Sequence, residues 1–270
     1  MRLLFLSDYQ AFFQALEEEA KRYASLEIVC CDSQTQPLAL PDFDFLLVAP
    51  LGQSCEVGLA ADLEQLEFWQ NKLPQLVELC TSRQARLVLW SSDLVFNPGQ
   101  QAVSELDIPE NTSPLSQLLT SLEKQAVSCG QSIILRTPPS LSSDPKGGLA
   151  QLVSKCKAHK APDNIDYRGL QPLDDVARVL LGILLQIDAG AQASGIYHYA
   201  GSEPVSQTEL LHTLARYLKT PAYPADPSGT NRQGMNSRHL LENFGVHPRA
   251  WRSCLPTLLE QLNEISSTHE

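Results

Sequence analysis

The chain is predicted to fold as an α/β protein, a doubly wound parallel sheet followed by a smaller C-terminal α/β lobe. Three observations predict it. Short apolar runs at 3–6, 26–30 and 45–48 have the length and composition of parallel strands buried on both faces. Between and after them lie longer stretches in which apolar residues recur at helical spacing. After Arg136 the composition turns to Pro, Ser and Gly over 137–148, which marks an excursion away from the sheet.

The run at 3–6 leads into Phe12, Leu16, Ala20 and Tyr23, spaced as one helical face, so the chain opens as strand, turn and helix. Residues 26–30 and 45–48 supply the second and third strands. Leu63, Leu66, Leu73, Leu76 and Val77 form the inward face of a helix over 61–80. A strand at 87–89 runs into Trp90-Ser-Ser-Asp-Leu-Val-Phe96, and a polar loop leads to a helix over 116–129 and a strand over 132–136. Val176, Val179, Leu180, Ile183 and Leu184 mark a helix over 175–187, and a strand follows at 195–199. The helix over 205–218 opens on Ser206 as cap, with Glu209 three residues on in capping-box spacing. Residues 221–234 read as loop, helices follow over 237–243 and 251–262, and the last six residues are expected to fray. Strands joined by crossover helices make the first part Rossmann-like. Residues 1–140 form that domain, and 141–270 form mainly a substrate-side lobe, with segments around 165–200 returning to the main sheet.

With 270 residues, 43% of them hydrophobic and 19% charged, the chain can bury a full core. A formal charge of −11 argues against nucleic acid and anionic membranes as partners, because both would repel it. It leaves room for a compact anion in a local pocket. The seven cysteines match no CxxC metal spacing and mostly sit in apolar strings, as small buried hydrophobes in a reducing compartment do. The first apolar run is broken by Ser7-Asp8 and resembles no signal peptide, and no run is long enough to cross a bilayer. A cytoplasmic location is expected.

Ser91-Ser-Asp-Leu-Val-Phe96, Ile134-Leu-Arg-Thr137, Gly195-Ile-Tyr-His-Tyr-Ala-Gly201, Phe244-Gly-Val and Trp251-Arg-Ser-Cys-Leu255 occur in an informative order and spacing. Over nearly its whole length the chain resembles the extended short-chain dehydrogenase/reductase superfamily. Within it the likeness is to dTDP-4-dehydrorhamnose reductases and their sugar-nucleotide-binding relatives. The resemblance implies an N-terminal NAD(P)-binding domain, a C-terminal lobe for the sugar nucleotide, and reduction of a 4-keto sugar.

The residues that would carry that chemistry are altered. A Gly-rich turn lets backbone N–H groups and a helix N-terminus approach the pyrophosphate. The family's turn falls on 7–13, yet no glycine precedes Gly52, and Phe12 and Phe13 would crowd a phosphate. Ser7 and Asp8 in that turn, and Asp32 after the second strand where an acid can hold an adenine ribose, are the candidate cofactor residues; Asp32 reads more simply as a solvated strand end. Ketone reduction needs a proton donor beside the developing alkoxide. The family's hydroxyl position falls on Ser92. Its tyrosine falls near Leu118 and its lysine near Leu122, Lys124 is the lysine of that helix, and no tyrosine lies between Tyr23 and Tyr167. Tyr167 is therefore the candidate tyrosine to enter the cleft from another segment.

For the substrate side the candidates are Ser92, Asp93 and Arg232, the last where relatives carry an arginine facing the sugar nucleotide and where a guanidinium would suit a diphosphate. Ser92 and Asp93 also read as strand-end turn residues. The family's substrate-side tryptophan falls near Pro139. Asp174 and Asp175 begin a helix and read as its cap residues, favoured by the dipole, and His198 reads as packed structure. No metal site is expected.

Two functions follow. The first is a sugar-nucleotide reductase homologue without hydride-transfer chemistry, binding a nucleotide-sugar-like ligand or acting as a regulatory or interaction protein, with a protein partner or a second copy. The alternative is an active NAD(P)-dependent reductase or epimerase of a nucleotide-linked 4-keto sugar.

Overall fold

The computed structural model describes residues 1–100, 102–163, 165–221, 223 and 234–267. The main-sheet elements run β1 (Arg2–Leu6), α1 (Gln10–Ala20), β2 (Glu27–Cys31), β3 (Phe45–Val48), α2 (Leu63–Arg83), β4 (Arg86–Ser92), α3 (Pro114–Val127) and β5 (Ile133–Thr137). The chain then forms β6 (Ser140–Leu141), α4 (Gly148–Lys157), β7 (Asp166–Tyr167), β8 (Gln171–Pro172) and α5 (Leu173–Asp188). It ends with β9 (Gly195–His198), β10 (Val205–Ser206), α6 (Gln207–Leu218), α7 (Arg238–Phe244) and α8 (Trp251–Ser267).

Six strands form one sheet in the order β2-β1-β3-β4-β5-β9, every pair parallel. Register follows burial, with Leu4 beside Val29 and Leu46, and Leu89 beside Ile134. Strands β3, β4 and β5 are almost wholly buried, as the apolar runs 45–48, 87–90 and 133–135 within them require. The crossover through α1 leads one way along the sheet and the crossovers through α2 and α3 lead the other. Right-handed connection therefore puts α1 on one face and α2 with α3 on the opposite one. α5 packs along α1, and α2 packs along α3.

A second, separate core lies in the lobe. Leu149, Leu152 and Cys156 of α4 meet Leu210, Leu211 and Leu214 of α6 and Trp251 and Leu255 of α8. The short β10–β7 and β6–β8 pairs brace it.

Some local expectations change. Residues 149–174 carried no predicted element, yet α4 forms there because Leu149, Leu152, Val153 and Cys156 share one buried face. The predicted helix over 205–218 begins as a strand, since Val205 and Ser206 pair with Tyr167 and Asp166 before α6 starts under the Ser206 cap. Most of the loop expected over 221–234 lies outside the described residues. Asp174 and Asp175 sit in the first turn of α5 as expected, but Pro172 holds the N-cap position. Asp175 instead accepts from the Tyr199 hydroxyl and pairs with Arg178 at 2.6 Å and Arg249 at 3.3 Å. Among the described residues no helix is long and apolar enough to cross a membrane, and no cluster of His, Cys, Asp or Glu could hold a metal ion.

Candidate functional site

Open α/β sheets place ligands beyond the carboxyl ends of their strands. Here a cavity of about 830 Å³ opens where the loops after β3, β4 and β5 meet the lobe. Ser92, Asp93 and Thr137 line it from the sheet, and Tyr167 and Arg168 from the lobe. Asp93 is buried and ion-paired to Arg168 at 3.1 Å. Burial raises the Asp93 carboxyl above its ordinary value, and the guanidinium opposes that rise. Arg168 also donates to the Asn97 and Gln100 carbonyls at 2.5 and 3.3 Å, so one side chain ties the lobe to the loop after β4. The Ser92 hydroxyl accepts from the Leu94 amide at 3.2 Å and donates to Asp93 at 3.4 Å. Tyr167 accepts from Gln207 at 3.5 Å, and burial raises its phenol, which makes it a weaker acid.

The crevice for a dinucleotide would lie between β1 and β3, where the strand order reverses. This chain fills it. Tyr9, just past β1, reaches across and donates its hydroxyl to Glu56, past β3, at 2.6 Å. Phe12 packs on Trp90 with ring centroids 4.2 Å apart, and Tyr9 stacks on both rings at 6.2 Å. The Trp90 indole donates to Thr137 at 2.9 Å. Burial first, and the neighbouring Glu56 next, hold the Tyr9 phenol well above its usual range, so it remains a donor. Burial also raises Glu56, although its three hydrogen bonds favour the ionised form. An NAD(P) pyrophosphate therefore meets an aromatic plug and a buried acid instead of a glycine turn. The residues present do not fit that cofactor.

The candidate cofactor residues lie in local turns. Ser7 accepts from the Tyr9 amide at 3.2 Å. Asp8 accepts from the Ser33 amide at 3.1 Å and from the Ser33 hydroxyl. Asp32 is exposed and accepts from the Gln34 amide. Beside them Lys72, buried against Phe68 and Trp69, donates to the Ser33 and Thr35 carbonyls. Burial lowers its ammonium pKa. Leu118 is half-buried against the core, Leu122 is fully buried and Lys124 is exposed. Pro139 lines the cavity, and Arg232 lies outside the described residues. Sequence reasoning passed over Glu56, Trp90 and Arg168.

Beneath the cavity floor lies a buried ionic layer. Glu123 of α3 accepts from Ser91 at 2.6 Å and from Nε and Nη2, one edge of the Arg136 guanidinium, at 2.9 and 2.7 Å. Arg136 approaches the His198 ring nitrogen at 3.4 Å, and Phe96 covers both. Burial, then the Arg136 charge, pushes His198 down to about 3, so the folded protein keeps it neutral. The unfolded chain protonates it below about 6.5, and stability therefore falls as pH drops through that window, by about 1.4 kcal/mol per pH unit. Urea titrations from pH 7 to pH 4 should show this slope in the wild type and a flatter one in His198→Gln. Equal slopes would refute the assignment.

Residues 69–264 match the family described as the RmlD substrate binding domain. The chain belongs to that family. Among solved structures it is similar to a dTDP-4-dehydrorhamnose reductase from Clostridium acetobutylicum, at 17% identity and a TM-score of 0.76, over 97% of this chain and 100% of that one. It is also similar to MoeE5 in complex with UDP-glucuronic acid and NAD, at 17% identity and a TM-score of 0.75, over 97% and 99% of the two chains. A UDP-glucuronic acid 4-epimerase from Bacillus cereus, in complex with UDP-glucuronic acid and NAD, aligns at 14% identity and a TM-score of 0.77, over 99% and 100%. At such identities the likeness establishes a shared fold. No curated protein matches the sequence.

Proposed function

We propose that this member of the RmlD substrate-binding family has lost hydride transfer and uses the cavity above Ser92, Asp93 and Arg168 to bind a nucleotide-sugar-like ligand. The observation that carries this reading is the Tyr9–Glu56 hydrogen bond across the β1–β3 crevice, with Phe12 and Trp90 packed behind it. The leucines at the positions expected for tyrosine and lysine support it, since neither can donate a proton or hold a ribose. In this role Arg168 and Asp93 offer a fixed charged pair, and Ser92, Thr137 and Tyr167 offer hydroxyls to a sugar ring. A regulatory role through a protein partner is compatible with the same cavity.

The comparisons favour a second reading, an active NAD(P)-dependent reductase or epimerase of a nucleotide-linked 4-keto sugar. MoeE5 and the Bacillus cereus epimerase are named as NAD complexes, and Tyr167 faces the same cavity as Ser92. Titrating the protein with NADPH and NADH, followed by nicotinamide fluorescence and calorimetry, separates the two. The first reading expects no saturable binding up to millimolar cofactor. Saturable micromolar binding would replace it with the second.

A further inference from the structure

Glu56 does more than close the crevice. Its carboxylate accepts from Tyr9 in the core at 2.6 Å, and from two donors in the lobe, the Ser142 hydroxyl at 2.6 Å and the Gly148 amide at 3.0 Å. Gly148 is the first residue of α4, so the carboxylate also sits at that helix's positive end. The surrounding backbone is drawn equally tight. Val57 donates to the Ser140 carbonyl at 2.9 Å, and the Ser140 hydroxyl donates to the Cys55 carbonyl at 3.2 Å. A Cβ on Gly148 would lie 1.6 Å from the Val57 oxygen, so only glycine permits the approach. Glu56 is 1% exposed, and the three donors are what make burial of its carboxylate tolerable.

We propose that Tyr9 and Glu56 form a latch that holds the lobe against the sheet, so that the ligand cavity is shaped without a dinucleotide. The latch replaces a bound cofactor by the protein's own phenol and carboxylate at the meeting of the β1 loop, the β3 loop and α4. It rests on the reading of the crevice as closed to NAD(P). Its consequence for binding is that the lobe is already ordered before a ligand arrives, and a ligand therefore pays no cost of closing it.

Amide hydrogen exchange on the full-length protein tests this. Tyr9→Phe keeps the ring and removes only the hydroxyl, and Glu56→Gln keeps one acceptor oxygen and loses the charge. Both variants should speed exchange over residues 142–157 by about tenfold, the loosening expected when a charge-assisted hydrogen bond is lost, with β4 and β5 unchanged. Millimolar NADH should leave wild-type exchange unchanged. Wild-type rates over 142–157 in a Tyr9→Phe protein of native circular dichroism would overturn the latch, as would protection of that segment by NADH. If Glu56→Gln does not fold, Tyr9→Phe decides alone. A calorimetric titration with UDP-glucose tests ligand binding separately. Its failure leaves the latch standing, and normal exchange in Tyr9→Phe removes the latch while leaving ligand binding untouched.

Discussion

Replacing Arg136 with methionine is expected to lower the unfolding free energy by about 3–5 kcal/mol, because it strands the Glu123 carboxylate in the core. Arg136 and Glu123 are 3% and 4% exposed, and no solvent is at hand to take over when one partner goes. That loss is a large share of the roughly 5–15 kcal/mol that holds a typical domain together. The double change Arg136→Met with Glu123→Leu should recover most of it, since an apolar pair removes both charges from the interior. Recovery will be incomplete, because the Ser91 hydroxyl loses its acceptor and His198 loses its guanidinium neighbour. Urea unfolding of the three proteins checks this. A single-variant loss below about 1 kcal/mol would mean that water reaches the pair.

The second large effect concerns the aromatic plug. Phe12→Ala should cost about 3–5 kcal/mol, the usual range for emptying a fully buried aromatic site. The hole would lie against Trp90 and Phe5, which meet the Phe12 ring at 4.2 and 5.6 Å. The same variant should still fail to bind NADH, because Tyr9 and Glu56 continue to close the crevice. Equilibrium unfolding and a fluorescence titration on one preparation measure both. A loss under about 1 kcal/mol would show that the neighbours collapse into the space, and NADH binding would show that Phe12 alone blocks the cofactor.

The fold was legible because parallel strands buried on both faces leave unbroken apolar runs, as at Phe45–Val48 and Ile133-Ile-Leu135. The helix α4 was missed because a long turn-rich stretch precedes it and its ten residues hold only two turns of the regular face formed by Leu149, Leu152, Val153 and Cys156. Ser92, Asp93 and Tyr167 were singled out from a motif and from the scarcity of tyrosines, and the structure sets all three around one cavity. Glu56 left no local signal, since its partners Tyr9, Ser142 and Gly148 lie 47, 86 and 92 residues away. Arg168 escaped for the same reason, its carboxylate partner being 75 residues distant. Tyr9 stood in the turn already known to lack glycine, but a sequence cannot say that a phenol there spans to another loop.

The aromatic plug also bears on how readily the crevice could open by mutation. Tyr9, Phe12 and Trp90 are all core residues here. Trimming Tyr9 or Phe12 to make room for a pyrophosphate would first open a hole in the protein's interior. Each step toward an open crevice would thus cost stability before any new capability appeared. Selection on stability alone is then enough to entrench the filled crevice, acting as a ratchet whatever ligand the neighbouring cavity holds.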